Sequence, residues 1–99
     1  MTTQTTRVIG LIKLLDPAAF EIYRAQVGAT VEAFGGKVLF RGVAGEMPWN
    51  DLGCAGFDAV VEIEFPDQDS AHAWAHSPAY QKLLDIRRQA MQLTLFFAH

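Results

Sequence analysis

Ser70-Ala-His-Ala-Trp-Ala-His-Ser-Pro-Ala-Tyr-Gln-Lys-Leu-Leu-Asp-Ile-Arg-Arg-Gln-Ala-Met91 carries more structural information than any other part of this 99-residue chain. It reads as two helical pieces broken at Ser77-Pro78. Ser77 serves as N-cap, and Pro78 takes the first helical position, where its missing N–H costs nothing. At about 100° per residue, Ala79, Tyr80, Leu83, Leu84, Ile86, Ala90 and Met91 of the second piece fall on one broad face. Gln81, Lys82, Asp85 and Gln89 fall opposite. Arg87 lies near the middle of the apolar face, where a guanidinium requires a partner or water.

Before this stretch stands Asp58 to Phe65, the cleanest strand pattern in the chain. Ala59, Val61, Ile63 and Phe65 alternate with Val60, Glu62 and Glu64. Pro66-Asp67 ends it, and Asp67 or Asp69 caps the helix that follows. After it, Gln92 to Ala98 reads as the last strand. Toward the N-terminus, Arg7 to Leu14 is a strand with apolar residues on both sides, Val8, Ile12 and Leu14 against Ile9 and Leu11, so it is covered on both faces. Asp16-Pro17 opens a helix with Phe20, Tyr23, Val27, Val31 and Phe34 at helical spacing, Leu15 stapled on Phe20, and Gly35-Gly36 as its stop. Lys37 to Val43 is a further strand, alternating Val38 and Phe40 against Leu39 and Arg41. The loop 44–57 is long and glycine-rich, the kind that is often functional, and it holds Trp49 and Cys54.

The order is therefore strand, helix, strand, strand, helix, strand. That order predicts an α+β, ferredoxin-like domain: a four-stranded antiparallel sheet ordered 4-1-3-2 with the helices on one face. The second face of the first strand is too apolar to stay wet, so a second copy packing sheet to sheet is expected, a homodimer with a twofold axis. Glu62 and Glu64 would lie in that face, and pairing with Lys13 or Arg41 would neutralise one of them.

Composition narrows the function classes. The chain forms one domain, with residues 1–6 a flexible start, and 51% of it is hydrophobic, which is globular. No apolar run approaches the roughly 18 residues of a membrane span. The net charge of −3 and the absence of a basic stripe argue against nucleic acid. A single cysteine and a polar, uncharged start fit a cytoplasmic protein.

Ala73-Trp74, Ser77-Pro78-Ala79-Tyr80-Gln81, Arg87 and Ala90 together resemble the signature of the family called domain of unknown function 1330. Phe34-Gly35-Gly36, Arg41-Gly42 and Glu64-Phe65-Pro66 extend the resemblance over roughly residues 7–97. The resemblance implies the dimeric α/β-barrel superfamily, in which two ferredoxin-like chains pack their sheets together. Relatives there include cofactor-free monooxygenases, lactone isomerases, polyketide cyclases and haem enzymes, while the family itself implies no established reaction. Two departures stand out. A longer glycine-rich loop precedes Phe57-Asp58 where members carry a short Glu-Gly turn and a basic residue, and Ala98-His99 replaces a glycine-containing end.

The candidate pocket comprises Tyr23, Arg41, Trp74, Tyr80 and Arg87. Helices lying on the sheet aim Tyr23, Tyr80 and Arg87 into one layer, an apolar cleft with a few convergent polar groups. Arg87 there either holds a small organic anion, with a tyrosine moving a proton, or pairs with Glu62 or Glu64 within a filled core. His72 and His76 share one helix flank at a spacing able to bind zinc, and a third ligand would have to come from Cys54, His99, Asp67 or Asp69. Two histidines beside alanines on an exposed flank are more often simply solvated, and no metal site is assigned. Nor does any motif for a nucleotide cofactor appear, so none is assigned. Two functional classes follow. One is a cofactor-free enzyme of the monooxygenase, isomerase or cyclase kind acting on a carboxylated or phenolic metabolite. The other is a non-catalytic dimeric module that binds a small ligand or only packs.

Overall fold

The computed structural model describes residues 5–99. Its elements run β1 (Thr6–Leu14), α1 (Pro17–Glu32), β2 (Lys37–Val43), β3 (Ala59–Phe65), α2 (Gln68–Ala75), α3 (Pro78–Gln81), α4 (Leu84–Ala90) and β4 (Met91–Ala98). The strands form one antiparallel sheet in the order β2-β3-β1-β4, the ferredoxin-like arrangement expected from the element order. Of the flexible start expected for residues 1–6, residues 1–4 lie outside the described residues, and Thr6 is buried as the first residue of β1.

Strand alternation separates the two faces of the sheet. Val8 and Ile12 of β1 are buried with Ile63 and Phe65 of β3 under Ala19, Tyr23, Val27 and Val31 of α1, and Trp74, Tyr80, Leu83 and Met91 complete that core. The other face carries Ile9, Leu11, Val60, Phe40 and Phe96. Among the described residues no helix packs on it, and only the end of the loop, residues 54–57, comes near it beside Leu11. Phe40 and Phe96 are among the exposed large apolar side chains.

Local chemistry explains the ends of the elements. Asp16 accepts from the backbone N–H groups of Ala18 and Ala19 and caps α1, and Asp67 accepts from Ser70 N–H and caps α2. Both carboxyls are held below their ordinary pKa, chiefly by these backbone donors. Ser77 caps α3, its Oγ accepting from Tyr80 N–H at 3.1 Å. Past α1, Gly35 adopts φ +79, a conformation that glycine supplies without a Cβ penalty. At Gly36 a Cβ would come within 2.6 Å of the Phe65 ring, so a hydrogen there lets the turn close onto β3.

Two expectations are corrected. A bulge between Val38 and Phe40 shifts the β2 register, so Phe40 stands opposite Glu62 on the open face and Arg41 stands opposite Val61 on the covered face. An unbroken alternation had put Val38 and Phe40 together; the extra residue of a bulge reverses parity. The second helical piece is also not continuous. Leu83 N–H bonds to Tyr80 O at 2.9 Å, a tightened turn that separates α3 from α4. Ala79, placed on the apolar face by continuous helical spacing, is exposed in consequence.

Candidate functional site

Between α1 and the covered face of the sheet lies a cavity of about 710 Å³. Its walls are mainly aliphatic, from Val27 and Val31 of α1 and Ile12, Val61, Ile63, Leu93 and Leu95 of the sheet. Tyr23, Arg24, Arg41, Asp58 and Trp74 supply its polar groups. Arg24, Arg41, Val43 and Asp58 are exposed, which places the mouth at the β2 edge, where the loop 44–57 begins and ends.

Three of the five candidate residues, Tyr23, Arg41 and Trp74, line this cavity. Trp74 is a wall fixed from behind: it is 1% exposed, and its indole N–H donates to Thr30 Oγ1 at 3.0 Å. The Thr30 hydroxyl donates in turn to Val27 O at 2.7 Å. The aromatic layer continues from Phe65 through Trp74 to Tyr80, with ring centroids 5.4 and 4.8 Å apart.

Tyr80 and Arg87 do not line the cavity; they stand behind Tyr23. The hydroxyls of Tyr23 and Tyr80 are 2.9 Å apart, and Arg87 Nη1 donates to the Tyr80 hydroxyl at 3.0 Å. The guanidinium carbon also lies 5.7 Å from the Tyr80 ring centroid, within cation–π range. Burial raises the Tyr23 phenol well above its ordinary pKa, and the nearby charges of Arg87 and Arg41 oppose this more weakly. Tyr23 is therefore a neutral hydroxyl at any physiological pH.

Among the described residues no carboxylate pairs with Arg87. Glu62 and Glu64 are on the opposite face of the sheet, where Arg7 bonds to Glu62 and both Arg7 and Lys37 approach Glu64, at 3.5 and 3.6 Å. The expected pairing of these glutamates with Lys13 or Arg41 is thus replaced by Arg7 and Lys37. Arg7 sits directly across from Glu64, and the β2 bulge turns Arg41 to the other face.

Arg24, Asp58 and Thr30 were not among the sequence candidates. Asp58 joins strands: it accepts from Leu14 N–H at 2.8 Å and its own N–H donates to Ile12 O. Its place just before β3, at the end of a long loop, is the one signal that marks it. His72 and His76 are both exposed with rings 4.4 Å apart. Among the described residues no group of three or more His, Cys, Asp or Glu is placed to hold a metal, and no helix is long and apolar enough to cross a membrane.

The comparisons with known proteins agree with this architecture. The model of the family described as "Domain of unknown function (DUF1330)" matches residues 6–99. No curated protein matches the sequence. Among solved structures, the chain is similar to RPA0582, a protein of unknown function from Rhodopseudomonas palustris, with TM-score 0.77 at 20% identity over 97% of this chain and 82% of that one. It is similar to SnoaB, a cofactor-independent oxygenase from Streptomyces nogalater, with TM-score 0.70 at 14% identity over 96% of this chain and 91% of that one. A dimeric ferredoxin-like protein of unknown function from Thermobifida fusca gives TM-score 0.61 at 13% identity, over 95% and 89% of the two chains. At these identities the likeness concerns the fold.

Proposed function

We propose that this chain, which belongs to the family described as domain of unknown function (DUF1330), takes a small and largely apolar organic molecule into the cavity beneath α1 and acts on it as a cofactor-free enzyme. The observation that carries this reading is the cavity itself. A volume of about 710 Å³ is within the ordinary range of small-molecule sites, and a filled core would have no such space. Its aliphatic walls favour a ring or chain over a sugar or nucleotide. Tyr23 and Arg41 provide donors for an oxygen of a phenolic or carbonyl-bearing ligand. Similarity to a cofactor-independent oxygenase supports the catalytic half of the reading, and chemistry of the oxygenase, isomerase or cyclase kind suits such a pocket.

A second copy of the chain on the open sheet face belongs to the same reading. Ile9, Leu11, Val60, Phe40 and Phe96 form an apolar surface across all four strands, of the kind that marks an interface. The Thermobifida fusca relative, described as dimeric, supports this.

A panel of two-ring probes (1-tetralone, 1-naphthol and 1-naphthoate) tests the pocket by calorimetry and thermal shift. Wild-type protein is expected to bind 1-tetralone or 1-naphthol, and Val27→Phe, which fills the cavity from α1, is expected to stay folded and lose that binding. Equal binding by wild type and Val27→Phe, or no binding by either, would sink the reading.

A further inference from the structure

The hydrogen-bonded row Arg87–Tyr80–Tyr23 has a direction, and the direction decides what the cavity recognises. An arginine guanidinium only donates, so the Tyr80 oxygen accepts from Arg87. Between the two phenols, either oxygen could be the donor on distance alone. Burial breaks the tie. Tyr80 is 3% exposed, and its hydroxyl has no partner other than Arg87 and Tyr23 among the described residues. Were Tyr23 the donor, the Tyr80 proton would be buried with nothing to accept it, an arrangement folded proteins avoid. With Tyr80 as donor, that proton is used, and the proton left over belongs to Tyr23, which lines the cavity.

We infer that Tyr23 presents its hydroxyl proton to the cavity as a fixed donor, set in that sense by Arg87 through Tyr80, and that the ligand is an apolar molecule bearing a carbonyl oxygen. This rests on the cavity being a ligand site and narrows the ligand to one class. Each hydrogen bond in the row polarises the next, so the Tyr23 proton is a stronger donor than it would be without Tyr80 and Arg87 behind it. Burial keeps that phenol protonated, so it donates and does not act as a base. A ketone or enone carbonyl fits one neutral donor set among aliphatic walls. A carboxylate at the depth of Tyr23 would need charge compensation there. Arg87 has its Nη1 engaged on the far side of Tyr80. The two arginines that do line the cavity, Arg24 and Arg41, are exposed at its mouth, where they stay in water. Any negative charge gathering on the carbonyl oxygen, as in enolisation, would be met by the same donor. In this scheme Tyr23 touches the ligand, while Tyr80 and Arg87 are positioning residues.

Two measurements test it, one with ligand and one without. The first compares 1-tetralone with tetralin, the same two rings without the oxygen, and follows the carbonyl carbon of 13C-labelled 1-tetralone by NMR. Wild type is expected to prefer the ketone about tenfold, near the discrimination that one hydrogen bond supplies, with a downfield carbonyl shift. Tyr23→Phe should abolish both. Arg87→Met and Tyr80→Phe should retain tetralin binding unchanged while shrinking the preference and the shift, a pattern that mere loosening of the fold does not give. Arg87→Lys should restore part of both. A ketone preference that survives Tyr23→Phe, or its absence in wild type that still binds tetralin, overturns the inference and leaves the cavity reading intact.

The second measurement needs no ligand. The chain has only two tyrosines, so protein carrying 13C at the tyrosine Cζ gives two resonances, assigned by Tyr23→Phe. In mixed H2O and D2O the Tyr80 resonance should split into slowly exchanging isotopic forms while that of Tyr23 averages. Any other pattern overturns the proton order, whether or not a probe binds.

Discussion

The sheet carries an arginine near each of its faces, and the two are satisfied by different means. On the open face Arg7 meets Glu62 and Glu64, with Lys37 beside them, in a cluster that stays partly in water. On the covered side, half-buried Arg87 meets no carboxylate among the described residues and instead donates to a tyrosine whose hydroxyl is paired with a second one. The difference follows solvent. Carboxylates remain on the side where water still reaches them, because taking an ion pair fully out of water costs more than it returns unless every bond is satisfied. Beneath the helices only neutral hydroxyls face the guanidinium, and they pass its polarising effect inward. A charged residue on an apolar helix face therefore need not imply an internal salt bridge.

The largest effect is expected from breaking the open face itself. Leu11→Lys places an ammonium in the middle of that apolar surface, between Val60 and Thr94. Sedimentation velocity at micromolar concentration should show a dimer for wild type and a monomer for the variant, with the melting behaviour of the covered core retained. A wild-type chain that sediments as a monomer would leave the open face without the partner proposed for it.

An intermediate effect sharpens the covered side, through alkaline pH. The unfolded chain ionises its tyrosines near about pH 10, whereas the folded chain holds Tyr23 neutral well beyond that. The contribution is therefore complete below the unfolded value and declines as pH rises through and above it. Denaturant titrations at about pH 8 and about pH 11 should show a smaller alkaline loss for Tyr23→Phe than for wild type. An identical loss in both proteins would mean that Tyr23 ionises freely when folded.

The smallest effect is expected at Arg7. Its partners are partly exposed, so Arg7→Ala should change the stability of the isolated monomer, measured in the Leu11→Lys background, by no more than about 1 kcal/mol. A cost of several kcal/mol there would show that the open-face cluster is as insulated from water as the covered row, and the contrast between the two faces would collapse.

Much of the architecture was legible before any coordinates. Period-two alternation in residues 58–65, helical spacing from Phe20 to Val31, and the Asp16, Asp67 and Ser77 caps are short-range signals, each resolved within a few residues of chain. Given four strands and two helical regions in that order, few sheet orders satisfy the connection rules, and the one expected is the one found. The candidate residues Tyr23, Arg41, Trp74, Tyr80 and Arg87 were chosen because polar or aromatic groups on inward faces must find company. Their grouping into a row and a wall, though, could not be read from spacing. Tyr23 and Tyr80 are 57 residues apart, and so are their hydroxyls' roles.

What the sequence determined by itself was the set of elements, their order and the inward face of each, since those depend on propensities and periodicities that act over a turn or two of backbone. Tertiary structure alone decided three things. It placed a bulge in β2 that sent Phe40 outward and Arg41 toward the cavity, a register that is fixed only in the pairing with β3. It broke the second helical region after Tyr80, through one tightened hydrogen bond, and so brought Arg87 onto the tyrosine hydroxyl rather than alongside it. And it left about 710 Å³ unfilled beneath α1, because the volume between packed layers depends on how far apart helix and sheet come to rest, a distance summed over every contact in the core and written in no single residue.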